Sequence, residues 1–232
     1  MNKKRAGISK YYGLFLKSFE TLEKDNLEKY KNNEISYEIY NQIFKIRNYS
    51  RNYSKVFNRK VNQSISNIFQ DIIAYYLKIF LNEKYDIILE EKENEYVPDI
   101  LIKKNKKNHF IIELKTNLGY CRNAIKDGTI EKRICNLAKH FNVNENNIIY
   151  ILETPGNVSK AFLENYYDRK TSKSKIHPKA KPYNYFYPLF NKIDPKYMKE
   201  FRNIENINDN IIKELFKKNA ITYFEDIIKL IK

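Results

Sequence analysis

Tryptophan is absent from this sequence, and cysteine, histidine, glycine and proline are all scarce. Two cysteines, Cys121 and Cys135, are too few for a disulfide framework or a thiolate metal centre. Fourteen positions apart, they fall near one face of a helix if one runs unbroken between them, and both read as plain reduced thiols. The three histidines, His109, His140 and His177, lie scattered without ligand spacing and read as surface or core residues. Zinc hydrolases and histidine-based nucleophilic catalysis are thereby excluded. No window approaches about eighteen uninterrupted apolar residues, so no membrane span is expected. The basic opening Met1-Asn-Lys-Lys-Arg5 is followed by no apolar signal core, and a cytoplasmic protein is the expectation.

What is present is aromatic and basic. Twenty tyrosines and fourteen phenylalanines, within a 42% hydrophobic composition, make the chain globular and not a disordered tail. At 232 residues it can bury an ordinary core, and a single domain is expected over 1–232. The formal charge of +15 points to a polyanionic partner, because lysines and arginines that neutralise phosphates release condensed counterions. Charge alone decides little in a chain so rich in Lys, Asn and Ile; its distribution decides more.

Leu14, Phe15, Phe19 and Leu22 recur at helical spacing in the first forty-odd residues. A stronger helix spans about Asn62 to Asn82, with Ile65, Phe69, Ile72, Tyr76 and Phe80 as its apolar stripe and Ile68 and Ile79 beside them. The periodicity then turns strand-like. Tyr85–Leu89, Tyr96–Ile102 and His109–Leu114 are strand candidates, with an acidic patch at Glu90–Glu95 and a polar turn over Lys103–Asn108. Ile130, Ile134, Leu137 and Phe141 then mark a helix that Asp127 or Thr129 could cap. Asn147–Leu152 is a buried strand ended by Thr154-Pro155-Gly156. A short helix to about Tyr167 and an irregular segment over Arg169–Pro195 follow. Two amphipathic helices close the chain, near Asp209–Lys218 and Thr222–Lys232, the second with Ile221, Phe224, Ile228 and Ile231 on its apolar face. Short turns pair neighbouring strands antiparallel, and a helical crossover returns the last strand parallel. The expected class is α/β: a mixed sheet flanked by helices, with helical additions at both ends.

The chemistry concentrates in two strands. Pro98-Asp99 sits in one, thirteen residues intervene, and Glu113-Leu114-Lys115 ends the next. Glu113 and Lys115, two apart on a strand, project from one face. A hairpin would set Asp99 beside Glu113, so that two carboxylates and an ammonium converge. Mg²⁺ prefers oxygen ligands and keeps several waters, so two carboxylates suffice; the Leu114 carbonyl is a further candidate ligand. Such a site suits phosphodiester hydrolysis, with Lys115 orienting water or offsetting charge. The same acids and lysine could instead form a structural ion pair.

The segment Val97-Pro98-Asp99-Ile100 with Ile112-Glu113-Leu114-Lys115 resembles the PD-(D/E)xK nuclease superfamily, and the element order over 62–152 looks like that superfamily's common core. Size, basic charge and terminal helices look most like a type II restriction endonuclease. The resemblance implies catalytic Asp99, Glu113 and Lys115, Mg²⁺ as cofactor, and cleavage of double-stranded DNA at a short sequence, commonly by a homodimer. It also implies a cognate DNA methyltransferase in the same system that is not a physical partner. Many members place a further acid on the helix before the first strand; Asp71 is the candidate here, against an ordinary solvent-facing role, with Glu90, Glu91 and Glu95 as fallbacks and Gln70 pointing away. A repair or recombination nuclease (a junction resolvase or nicking enzyme) and a non-catalytic DNA-binding protein on the same scaffold are the alternatives.

Two acid-free basic stretches, Lys45–Lys60 and Arg169–Lys181, have the composition of phosphate-contacting surfaces. The DNA-contacting candidates are Arg47, Arg51, Lys55, Arg59 and Lys60 in the first and Lys173, Lys175, Lys179 and Lys181 in the second. Tyr120 and Arg122, just past the Glu-Leu-Lys strand, complete the set. A solvated charged face explains any one of them equally well.

Overall fold

The polypeptide alternates between helices and a central sheet in a computed structural model that describes residues 35–44, 62–81, 83–117, 128–154, 185–190 and 209–232. Helix α1 covers 35–44 and α2 Asn62–Phe80. Strands β1 (Tyr85–Leu89), β2 (Ile100–Lys104) and β3 (Lys107–Asn117) follow. Helix α3 (Thr129–Phe141) crosses to β4 (Ile148–Thr154); β5 (Phe186–Pro188), α4 (Asp209–Asn219) and α5 (Phe224–Ile231) complete the order. The five strands form one sheet in the order β1-β2-β3-β4-β5, antiparallel through β3 and parallel from there on. The expected mixed α/β architecture is what the chain adopts.

Alternation along the strands divides the core into two layers. Ile100, Ile102, Phe110, Ile112, Leu114, Ile149 and Ile151 face α1, α2, α4 and α5. Leu101, Ile111, Ile148, Tyr150 and Leu152 face α3, whose Ile130, Ile134, Leu137 and Phe141 are buried as the spacing predicts. Phenylalanine and tyrosine do the filling that tryptophan does elsewhere: Tyr40 lies 4.4 Å from Phe190, with Phe44 and Phe216 around it. No helix among the described residues is long and apolar enough to cross a membrane.

Several local expectations are corrected. The hairpin turn is not six residues but two: β2 runs to Lys104, and Asn105 and Lys106 take φ of 51° and 65° before β3 begins. Positive φ at both central positions is the type I′ turn, whose twist matches that of the strands. A bulge at His109 (Ile102 pairs Phe110, Lys103 pairs Asn108) then restores the register, and the His109 ring bonds the Ile231 carbonyl at 2.8 Å. Strand β2 starts at Ile100 instead of Tyr96, because Pro98 has no N–H for a ladder; Tyr96 makes only an isolated bridge to Glu93. The start of α3 is Gly128, at φ 68° and without a side-chain cap, so Thr129 does not cap it; Asp127 lies outside the described residues.

Residues 186–188, within the segment read as irregular, form edge strand β5. An edge position tolerates Pro188. Ile221 is not on the buried face of α5: it precedes the helix and is 45% exposed, and Ile227 takes its place among the buried residues. Helix α2 has two apolar stripes instead of one. Tyr76 packs on Phe224 of α5, whereas the Gln70 side reaches the sheet. The helix suggested by Leu14, Phe15, Phe19 and Leu22, and the one expected after Asn157, lie outside the described residues.

The start of α5 is capped from far away in sequence. Tyr223 offers no capping side chain, and the Phe224 N–H is instead accepted by the buried Ser36 hydroxyl of α1 at 2.7 Å, while that hydroxyl donates to Glu225. Ser36→Ala removes both bonds and should destabilise the fold by about 1–2 kcal/mol. The check is a lower urea midpoint at unchanged slope. Lys106→Gly should act in the opposite direction, because it relieves a left-handed lysine and creates the Asn-Gly pair that type I′ turns favour. A gain of about 0.5 kcal/mol is expected in the same measurement.

Candidate active site

The site forms where one side of the sheet's ladder runs out. Pairing of β2 with β3 ends at Ile100 opposite Ile112, so Asp99 and Glu113 are the next positions on the two strands. Strand β3 continues, paired to β4 alone from Glu113↔Tyr150 to Asn117↔Thr154. The Leu114 N–H has no β2 backbone left to bond, and the Asp99 carboxylate accepts it at 2.7 Å. The N–H and C=O of one strand residue point to the same side, so the Leu114 carbonyl shares this open edge.

Glu113, Lys115 and Asp99 converge as the motif predicts. Lys115 Nζ lies 3.8 Å from Asp99 Oδ2 and 3.8 Å from Glu113 Oε2. The burial is uneven: Glu113 is 1% exposed, whereas the Asp99 and Lys115 side chains are 32% and 38% exposed. The group is therefore anchored at one end and open to solvent at the other.

Two contributors lie outside the motif. Arg133 of α3 clamps Glu113 with a fork, Nε donating to Oε2 and Nη2 to Oε1, each at 2.9 Å. The sequence held a signal for it: Arg133 sits three after Ile130 and four before Leu137, within the apolar stripe, where a charge needs a buried partner. Gln70 of α2 is the second. It is buried, contrary to expectation, and its amide donates to the Asp99 carbonyl at 2.7 Å, beside a 3.2 Å bond from the Glu90 N–H. Helix α2 is covered on two sides, so the stripe that holds Gln70 is interior as well. Its neighbour Asp71 is half-buried, and it is Gln70 that reaches Asp99. Glu91 faces Lys103 at 3.5 Å. Glu90 and Glu95 are exposed.

Burial raises the Glu113 carboxyl above its ordinary range; the Arg133 hydrogen bonds work against this, and the Asp99 charge adds to it. Burial works to lower Arg133, but the hydrogen bond and charge of Glu113 outweigh it and the guanidinium is raised. Two cations, Arg133 and Lys115, thus stand against the two carboxylates Asp99 and Glu113. Among the described residues no cluster of three or more His, Cys, Asp or Glu gathers to hold a metal. Two carboxylates and a backbone carbonyl fit a cation that retains water, as Mg²⁺ does, and not a fully protein-caged one.

Of the cysteines and histidines, Cys135 is exposed and reduced, and His140 stacks on Tyr96 at 4.4 Å. Cys121 and His177 lie outside the described residues, as do all the DNA-contacting candidates: Arg47, Arg51, Lys55, Arg59, Lys60, Tyr120, Arg122, Lys173, Lys175, Lys179 and Lys181. Comparison of the chain with family models, with curated proteins and with solved structures finds no match.

Proposed function

We propose that the chain is a Mg²⁺-dependent nuclease of the PD-(D/E)xK type, and within that class a type II restriction endonuclease that cleaves double-stranded DNA at a short sequence. The observation that carries this reading is the approach of Asp99 Oδ2 and Glu113 Oε2 to one Lys115 ammonium at the end of the central strand. The net charge of +15 supports a polyanionic substrate.

Asp99, Glu113 and the Leu114 carbonyl would hold the cation. Bound there, Mg²⁺ would polarise the scissile phosphate and lower the pKa of a coordinated water. Lys115, the half-exposed member, orients the attacking water and offsets charge that develops on the phosphoryl oxygens. Asp99, held through both its carboxylate and its carbonyl, keeps its place as substrate enters. A homodimer, with two sites addressing opposite strands, suits palindromic cutting.

A second reading has its own support. Asp99 and Glu113 are balanced in charge by Lys115 and Arg133, and such a network can be purely structural. The protein would then bind DNA without cutting it.

Purified protein incubated with a long natural DNA should give discrete fragments with Mg²⁺ and none with EDTA. Asp99→Asn should abolish cleavage while retaining salt-sensitive DNA binding, and Lys115→Ala should lower the rate by about 10²–10³-fold. Nicking or a smear favours the repair or recombination alternative. Tight binding without cleavage by the wild type, across Mg²⁺ and Mn²⁺ and on methylated and unmethylated DNA, favours the structural network.

A further inference from the structure

One side chain outside the motif touches both strands of the site. Besides its two bonds to Glu113, Arg133 Nη2 donates to the Val97 carbonyl at 3.0 Å, two residues before Asp99. Seven positions along α3, His140 stacks its ring on Tyr96 and pairs with the Asn94 amide at 3.4 Å. A spacing of seven returns to the same helical face. Helix α3 therefore grips the loop that delivers Asp99 at two points, and grips Glu113 at one of them.

We propose that Arg133 is a positioning residue: it aims Glu113 and, through Val97, Asp99 toward the cation, and it aids metal binding instead of competing with it. This rests on the nuclease reading above. A carboxylate oxygen has two acceptor sites, so the fork takes one on each Glu113 oxygen and leaves one on each. Oε2, the oxygen bonded by Nε, is also the one that faces Lys115. Arg133 thus turns Glu113 so that its remaining capacity points into the site. Guanidinium is planar and permanently charged, and it spans both Glu113 oxygens and the Val97 carbonyl at once. Lysine carries its donors on a single nitrogen and cannot reproduce the planar two-nitrogen fork on the carboxylate.

The test uses the full chain, free of DNA, titrated with Mn²⁺ in a calorimeter. Wild type, Arg133→Gln and Arg133→Lys are compared after their circular dichroism spectra are shown to match. Supporting contacts around metal ligands are worth about 10–100-fold in affinity, so Arg133→Gln should weaken Mn²⁺ binding by that factor, with Arg133→Lys restoring only part. Cleavage by Arg133→Gln should recover at raised Mn²⁺, a shift that loss of stability alone does not produce. Unchanged or tighter Mn²⁺ binding by folded Arg133→Gln overturns the proposal. If the variants do not fold, the wild type decides. Its Arg133 Nε–H should stay protected from exchange when Ca²⁺ saturates the site, and release of that proton overturns the proposal. Absence of any divalent binding by the wild type removes the nuclease reading and this one with it; normal binding and cleavage in Arg133→Gln removes this one alone.

Discussion

One buried carboxylate, that of Glu113, organises the centre of this architecture. Glu113 lies on the central strand of a five-stranded sheet with 1% of its surface exposed, between apolar residues that give its charge no solvation. An unpaired carboxylate there would cost several kcal/mol. The close-range answer to that cost comes from α3. The crossover helix brings Arg133 down onto the sheet, β3 itself supplies Lys115 two residues on, and both cations fall on the face that Glu113 occupies. The crossover connection that makes β4 parallel thus also delivers the counter-charge, and the site sits on the α3 face for that reason.

Asp99 is fixed by a different economy. Where β2 stops pairing, the backbone of β3 would be left with an unbonded N–H, and the Asp99 carboxylate takes the place of the missing strand. Its own carbonyl is held from the opposite layer by Gln70 and from the loop by Glu90. The acid is consequently held by α2, β3 and the β1–β2 loop at once. A group so constrained loses little further entropy when a ligand arrives, which is how rigid elements make a site precise.

Much of this was legible in the residues. Strands β1 and β4, helix α3 and the convergence of Asp99, Glu113 and Lys115 follow from periodicity and from the rule that alternate residues share a strand face. What escaped has physical causes. Strand β5 is three residues long and ends in proline, so it carries no pattern of its own and exists only because β4 offers an edge. Gln70 is buried on the side of α2 that meets the sheet, while the Tyr76 stripe packs on α5, a fact of packing that no wheel drawn for α2 alone contains. Ser36 meets Phe224 across 188 positions of sequence, a separation that local reasoning does not bridge. Arg133 stood in an apolar stripe in plain sight. Its partner was readable only by asking which buried acid lay on the facing strand.

The uneven burial of the network bears on what it is for. An ion network kept for stability gains most when its members are enclosed and hydrogen-bonded together, as Arg133 and Glu113 are at 2.9 Å. Lys115 is different. It is 38% exposed and stands 3.8 Å from each acid, beyond hydrogen-bonding distance, where solvent screening leaves an ion pair worth little. Arg133 already supplies the tight counter-charge to Glu113, so the fold gains little from a second cation at that distance. A lysine that contributes little to stability, yet stands between two carboxylates at the open end of a rigid strand, is placed as a reacting group would be. The asymmetry between a tightly held arginine and a loosely held lysine is what the proposed nuclease would use: the first to maintain the geometry, the second to meet the substrate.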